Sequence, residues 1–225
     1  MSRRRPVLPA LGSIGANAQR EGGQGLVEFA LLVPVFLLIL LGMLEFGFAF
    51  NHNMTLEYAT REGARAGAAM ANGSQPDKTT CGDGKTLGAA NVDPLIIAAV
   101  QRVLESPGSM VDLTKVASIT IYHAKPDGTP IAGTSDVWTL KIGAGANMPC
   151  AGTPPKPMDF AAPTSTPWPA SSRLNGGTPD LLGVSISYTY KFRSALGGIL
   201  QFFGGNGAAS LAMTDRTVMA LEPTP

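Results

Sequence analysis
The hydrophobic and polar positions along the chain fall into two regimes that meet near residue 50. From Leu26 to Phe50 every residue is apolar or glycine or proline except Glu28 and Glu45, so the run has no polar face. At about 1.5 Å per residue a helix over this stretch covers roughly 37 Å, more than the hydrocarbon core of a bilayer, about 30 Å. The pattern predicts a transmembrane helix. Pro34 lies inside it and removes one backbone donor, which a membrane helix tolerates when neighbours satisfy the freed carbonyl. The helix is expected to continue past the membrane to about Asn72. There Ala59, Gly63 and Gly67 recur at four-residue spacing and leave a smooth stripe for close packing, either against a partner helix or against the chain's own domain.

Beyond residue 72 the pattern changes to short amphipathic pieces separated by turns. After a polar linker at about 73 to 91, Asp93-Pro94 reads as the cap and first residue of a second helix, carried by Leu95, Ile96, Val100, Val103 and Leu104 and stopped near Pro107-Gly108. Strand patterns follow at Val116 to His123, Val137 to Ile142 and Val184 to Phe192. In the last, Val184, Ile186, Tyr188, Tyr190 and Phe192 alternate with Ser185, Ser187, Thr189 and Lys191, which predicts one core face and one wet face. Met148 to Pro179 is rich in proline and poor in large apolar residues, and is expected to be a long loop without regular structure. A helical turn at Leu196 to Phe203 and a final strand at Ser210 to Glu222 complete the reading. The fold class is α+β: a long N-terminal transmembrane helix extending outward, followed by a small antiparallel-sheet domain with long loops. The expected division is a leader at 1–23, the transmembrane and extended helix at 24–72, and an extracytoplasmic domain at 73–225.

Charge sets the orientation. The leader carries Arg3, Arg4, Arg5 and Arg20 against Glu21 alone, whereas Glu57 and Glu62 balance Arg61 and Arg65 after the span. The positive-inside rule places the N-terminus in the cytoplasm and the residues beyond about 52 outside it, in a single-pass membrane protein. A net charge of +1 gives no reason to invoke nucleic acid.

Little in the chain reads as reaction chemistry. His52 and His123 fall in different elements, with no cysteine or acidic cluster at ligand spacing, so no metal site is expected. Gly82-Asp83-Gly84-Lys85-Thr86 imitates the end of a phosphate-binding loop, but the required first glycine is Thr79 and no apolar strand precedes it. No nucleophile elbow is present, and neither catalytic residues nor a cofactor are expected. The chemistry that stands out is Glu28. A carboxylate just inside an apolar run is costly in lipid unless something positive meets it, and the candidate is a new amino terminus. Glu45, near the outer boundary, reads either as a solvated interfacial group or as a contact with a partner helix.

The start of the run resembles a type IV prepilin processing site, in which a membrane peptidase cuts after a glycine and leaves glutamate as the fifth mature residue. Cutting after Gly23 makes Gln24 the first residue and Glu28 the fifth; Gly22 and Gly25 do not give that register. Over about residues 22 to 68 the sequence resembles the TadE-like family of the tight-adherence (Flp) pilus system. The resemblance rests on Gly23, Glu28, Pro34, Glu45-Phe46-Gly47 and Arg61-Glu62-Gly63-Ala64-Arg65 occurring in that order. Phe29 departs from the tyrosine usual in Flp pilins, and Gln24 from the phenylalanine common in other type IV pilins. The resemblance implies a minor pilin-like subunit or an inner-membrane assembly factor, bacterial, supporting pilus biogenesis and adhesion, with a prepilin peptidase and other pilin subunits as partners. Alternatives that the residues leave open are a secretory signal peptide cut near Gly47-Phe48-Ala49, an ordinary uncleaved anchor, and a membrane-anchored binding module unrelated to pili. Cys81 and Cys150, the chain's two cysteines, both fall outside the cytoplasm in this orientation and are expected to form a disulfide, against intersubunit pairing or two free thiols.

Overall fold
A computed structural model of the protein describes residues 21–73, 88–143, 145, 157–205 and 208–222. The chain divides into two compact units, Met1–Met43 and Leu44–Pro225. The first helix, α1, runs over Glu21–Met70 with Pro34 inside it. Within the first unit its apolar side chains face outward: Leu26, Phe29, Leu31, Leu32 and Phe36 are all exposed. No part of its most apolar stretch is buried by protein. Such a surface gains from lipid what it cannot gain from a core, and α1 provides the single-pass anchor that its length and composition allow. Among the described residues it is the one helix long and apolar enough to cross a membrane.

The second unit is a two-layer α+β domain, as the patterning predicts. Its helices are the C-terminal part of α1, α2 at Val92–Leu104 and α3 at Ala195–Gly204; its strands are β1 Val116–Ala124, β2 Pro130–Leu140, β3 Phe160–Ala161, β4 Leu181–Lys191 and β5 Ser210–Ala220. The five strands form one antiparallel sheet in the order β3-β2-β1-β4-β5. Register puts Ile119 beside Trp138 and Ile186, and Ile121 beside Asp136 and Val184. These residues form the inner face, which packs with Leu56 and Ala64 of α1 and with Ile96, Ile97, Val100 and Leu104 of α2. The alternation in β4 is realised as read, with Val184, Ile186, Tyr188 and Tyr190 buried and the intervening Ser185, Ser187 and Thr189 only half so.

Glycine sets the distance between the layers. A Cβ built on Gly63 would lie 2.5 Å from a Val100 methyl and 3.5 Å from one of Val184, and on Gly67 it would lie 2.4 Å from a Leu182 methyl. The stripe Ala59, Gly63 and Gly67 thus faces the chain's own α2 and β4. After Met70 the helix ends through Ala71 at φ 47° and Gly73 at φ 79°. Gly73 passes so close to the Ala89 backbone that a Cβ would sit 2.6 Å from it.

The structure departs from expectation in several places, among them β4, which begins at Leu181 instead of Val184. Asp93 does not cap α2: Asn91 holds that position, and Asp93 lies inside the first turn, buried against Arg173. Strand β2 begins at Pro130, not near Val137, and ends before Ile142, which is 63% exposed. The polar residues Thr134, Ser135 and Asp136 interrupt the alternation there without interrupting the ladder. The proline-rich stretch is not a bare excursion over its described part. Met158, Phe160, Trp168 and Ala170 are buried in the core, and Phe160–Ala161 pairs with Leu140 and Thr139 as a two-residue edge strand. Prolines are compatible with this because an edge segment needs few ladder donors.

Candidate functional site
The best-defined polar constellation gathers around Glu45. Its residue is 3% exposed, and its carboxylate accepts hydrogen bonds from the Tyr190 hydroxyl, the Arg193 amide at 2.8 Å and the Ser194 amide at 2.8 Å. The local sequence builds each donor. Alternation in β4 brings Tyr188 and Tyr190 to the inner face; the strand ends at Lys191, and the turn into α3 leaves two amides free ahead of the helix. Ser194 caps that helix, its hydroxyl accepting from the Leu196 amide at 3.2 Å. A carboxylate placed on the amides at a helix start is favoured by their partial positive charge. Two turns along α1, His52 is buried, stacked on Tyr188 with ring centroids 5.6 Å apart and edge-on to Tyr190 at 5.0 Å. Its Nδ1 lies 3.2 Å from the Tyr188 hydroxyl. Burial and then the hydrogen bond to Glu45 push the Tyr190 phenol well above the usual tyrosine range. The phenol therefore stays a donor at any physiological pH.

Glu45 is therefore not a solvated interfacial group: its carboxylate is bound by its own domain. Its partners lie about 145 positions further along the chain, beyond the reach of local spacing. The available signal was a pair of tyrosines on the core face of β4, since buried phenols need acceptors.

Gly23, Gln24 and Glu28, which the sequence offers as a processing site, lie on the first turns of α1. The Gln24 side-chain amide donates to Glu28 at 3.1 Å, one turn away. Gly23 and Gly25 are exposed, and a Cβ on either would meet nothing within 4 Å. Gly22, Gly23 and Gly25 weaken the helix here by about 1 kcal/mol each relative to alanine.

Gly23, Glu28, Pro34, Glu45 and the Arg61–Arg65 run all fall in one segment that has been matched as a unit. Residues 23–65 match the family model described as TadE-like protein. The resemblance read from the sequence is borne out over that segment. Neither a curated protein nor a solved structure matches the chain. The TadE-like segment contains Glu45 and His52, whereas Tyr188, Tyr190, Arg193 and Ser194, which complete the constellation, lie outside it. Of the packing stripe, Ala59 and Gly63 fall inside the match and Gly67 just beyond. Cys81, Cys150, the Gly82–Thr86 loop and the leader arginines lie outside the described residues.

A second polar group lies under the sheet, away from the TadE-like segment. Arg173, 2% exposed, donates to Asp93 and to the Trp168 carbonyl, and its guanidinium carbon sits 4.6 Å from the centre of the Trp168 ring. Asp136 is fully buried, and neither of its oxygens receives a hydrogen bond of ordinary geometry. Burial, and then the like charge of Asp93, push the Asp136 carboxyl up to about 6, with the Trp168 amide and Arg173 only partly opposing them. Burial also raises Asp93, against the pull of Arg173. Of the two acids, Arg173 is hydrogen-bonded to Asp93 alone, and Asp136 feels its charge without a bond to it. On the other side of Trp168, His123 stacks at 4.7 Å and reaches Asp180 at 3.3 Å.

Proposed function
We propose that this chain is a minor pilin-like component or membrane assembly factor of a tight-adherence pilus, made as a precursor and cut after Gly23 by a prepilin peptidase. The observation that carries the reading is the TadE-like match beginning at residue 23, together with Glu28 standing fifth after that cut. The N-terminus faces the cytoplasm and the sheet domain faces outward, as the leader arginines favour.

Cleavage exposes the α-amine of Gln24, whose ordinary pKa is near 8, beside a carboxylate that has no cation on its own helix turn. The Gln24 side chain already reaches Glu28 within one turn, so the helix geometry supports an approach of the new amine to that carboxylate, in the same subunit or a neighbour. A buried pair of this kind is expensive to break, about 3 to 5 kcal/mol, and a helix that slips in register against its neighbour breaks it. Glu28 then acts as a register pin in helix-to-helix assembly.

The test separates cutting from assembly. Gly23→Leu leaves the uncut precursor in the membrane, because a peptidase that accepts a small residue has no room for a large one. Glu28→Gln keeps the size and removes the charge, so the protein is cut but pilus-dependent adhesion fails. Normal maturation of the first variant removes the processing reading; normal adhesion by the second, at normal protein level, removes the register pin.

A further inference from the structure
Helix α3 is a ten-residue helix without a charged side chain; Leu196, Ile199 and Leu200 are half-buried, and among the described residues nothing covers its aromatic end. Gly197 is its one buried residue; Phe202 and Phe203 are 84% and 82% exposed, their rings edge-on at 5.1 Å. A helix this short is marginal in water by itself and needs a surface for its apolar side.

The position of α3 says what that surface is. Its first turn is fastened to Glu45 through the Arg193 and Ser194 amides. Counted from Leu26, about 20 residues of helix fill a hydrocarbon layer of about 30 Å, and the twentieth is Glu45. On the turns of α1 around it, Leu44, Phe46 and Phe50 are also exposed. Immediately before α3 stand Lys191 and Arg193, both exposed, and no acidic residue occurs between Lys191 and Thr214. Aromatic and aliphatic side chains flanked by basic ones match the boundary between acyl chains and phosphate headgroups. A second protein copy would be matched by an apolar face with a mixed polar rim; here Lys191, Arg193 and Lys115 outnumber the acid beside them, Asp112, and that basic excess favours phosphate over a protein partner.

We propose that α3 lies in the outer headgroup layer of the membrane as an interfacial helix, with Phe202 and Phe203 in the acyl-chain boundary and Lys191 and Arg193 at the phosphates. Glu45 thereby joins the end of the span to a second lipid contact. The inference rests on α1 being a membrane anchor and not on the pilus role.

The experiment uses the full chain reconstituted in vesicles of phosphatidylcholine and phosphatidylglycerol, with and without brominated acyl chains. Trp138 and Trp168 are buried, 3% and 5% exposed, so the parent protein gives a weakly quenched baseline. Phe203→Trp is expected to add blue-shifted emission that the brominated lipid quenches; Leu38→Trp, within the span, serves as the reference. Quenching of Leu38→Trp with none for Phe203→Trp overturns the interfacial placement and leaves the anchor standing. Quenching of neither overturns both. A photo-crosslinker at position 203 that captures a second copy of the chain instead of lipid also overturns it.

Discussion
Three hydrogen bonds converge on the buried Glu45 carboxylate, from the buried Tyr190 hydroxyl and from the Arg193 and Ser194 amides. Removing the acceptor strands the Tyr190 hydroxyl and two backbone amides, each at about 1 to 3 kcal/mol. Glu45→Ala is thus expected to destabilise the domain by roughly 3 kcal/mol or more, and Tyr190→Phe, which leaves two of the three bonds, by about 1 to 2 kcal/mol. Thermal unfolding of the detergent-solubilised protein, followed by circular dichroism, should rank them in that order. Equal and small effects would mean that Glu45 is solvated. Asp136 predicts the opposite sign. Its carboxyl is raised to about 6 from an ordinary 3.8, so between those values the folded state holds a proton that the unfolded state has released. Stability from this group is present below pH 4 and lost as pH rises towards 6, so at pH 7 the buried charge is destabilising. Asp136→Asn should raise the melting temperature at pH 7 and flatten its decline between pH 4 and 6 relative to the parent. A variant that melts lower at pH 7 would show that the carboxylate is paired.

At the scale of elements, contact between α1, α2 and β4 depends on the absence of side chains at two positions. Gly63→Val places atoms where the Val100 methyl already is, 2.5 Å from the Cβ position, and should cost about 1 to 3 kcal/mol by overpacking. Pairing it with Val100→Ala, which vacates that space, should recover part of the loss; a Gly63→Val variant as stable as the parent would mean that α1 does not pack there. These elements were legible in the sequence because each has a strong period: the unbroken apolar run of α1, the helical spacing of Ile96, Val100 and Leu104, the alternation of Val184 to Tyr190. The elements that were not legible lack one. The proline-rich stretch contributes Met158, Phe160, Trp168 and Ala170 to the core at irregular spacing, and its Arg173 meets an Asp93 that lies 80 positions earlier. A cap residue and a buried ion-pair partner look the same in sequence, so Asp93 reads as the former. Glu45 was visible as an odd carboxylate in an apolar run, but its partners are set by the antiparallel return of β4, which no local pattern encodes.

At the scale of the whole molecule, the segment that matches the TadE-like model is followed in the chain by the sheet domain, which the proposed orientation puts outside the cytoplasm. If that domain faces an oxidising compartment, Cys81 and Cys150 are expected to form an intramolecular disulfide, and a bridge closing so long a loop would contribute roughly 4 kcal/mol on the chain-entropy view. Mass spectrometry of the unreduced protein should find the crosslinked peptide, and alkylation of both thiols without reduction would rule it out. The central claim concerns the other end, where a glycine-rich turn precedes the apolar run and Glu28 follows it at a fixed interval. The mature N-terminus, read by mass spectrometry of protein from cells with and without the prepilin peptidase, tests it most directly. The account predicts a chain beginning at Gln24 when the peptidase is present and the uncut precursor when it is absent. A chain that begins near Phe48, or one that keeps its leader in both strains, would contradict it.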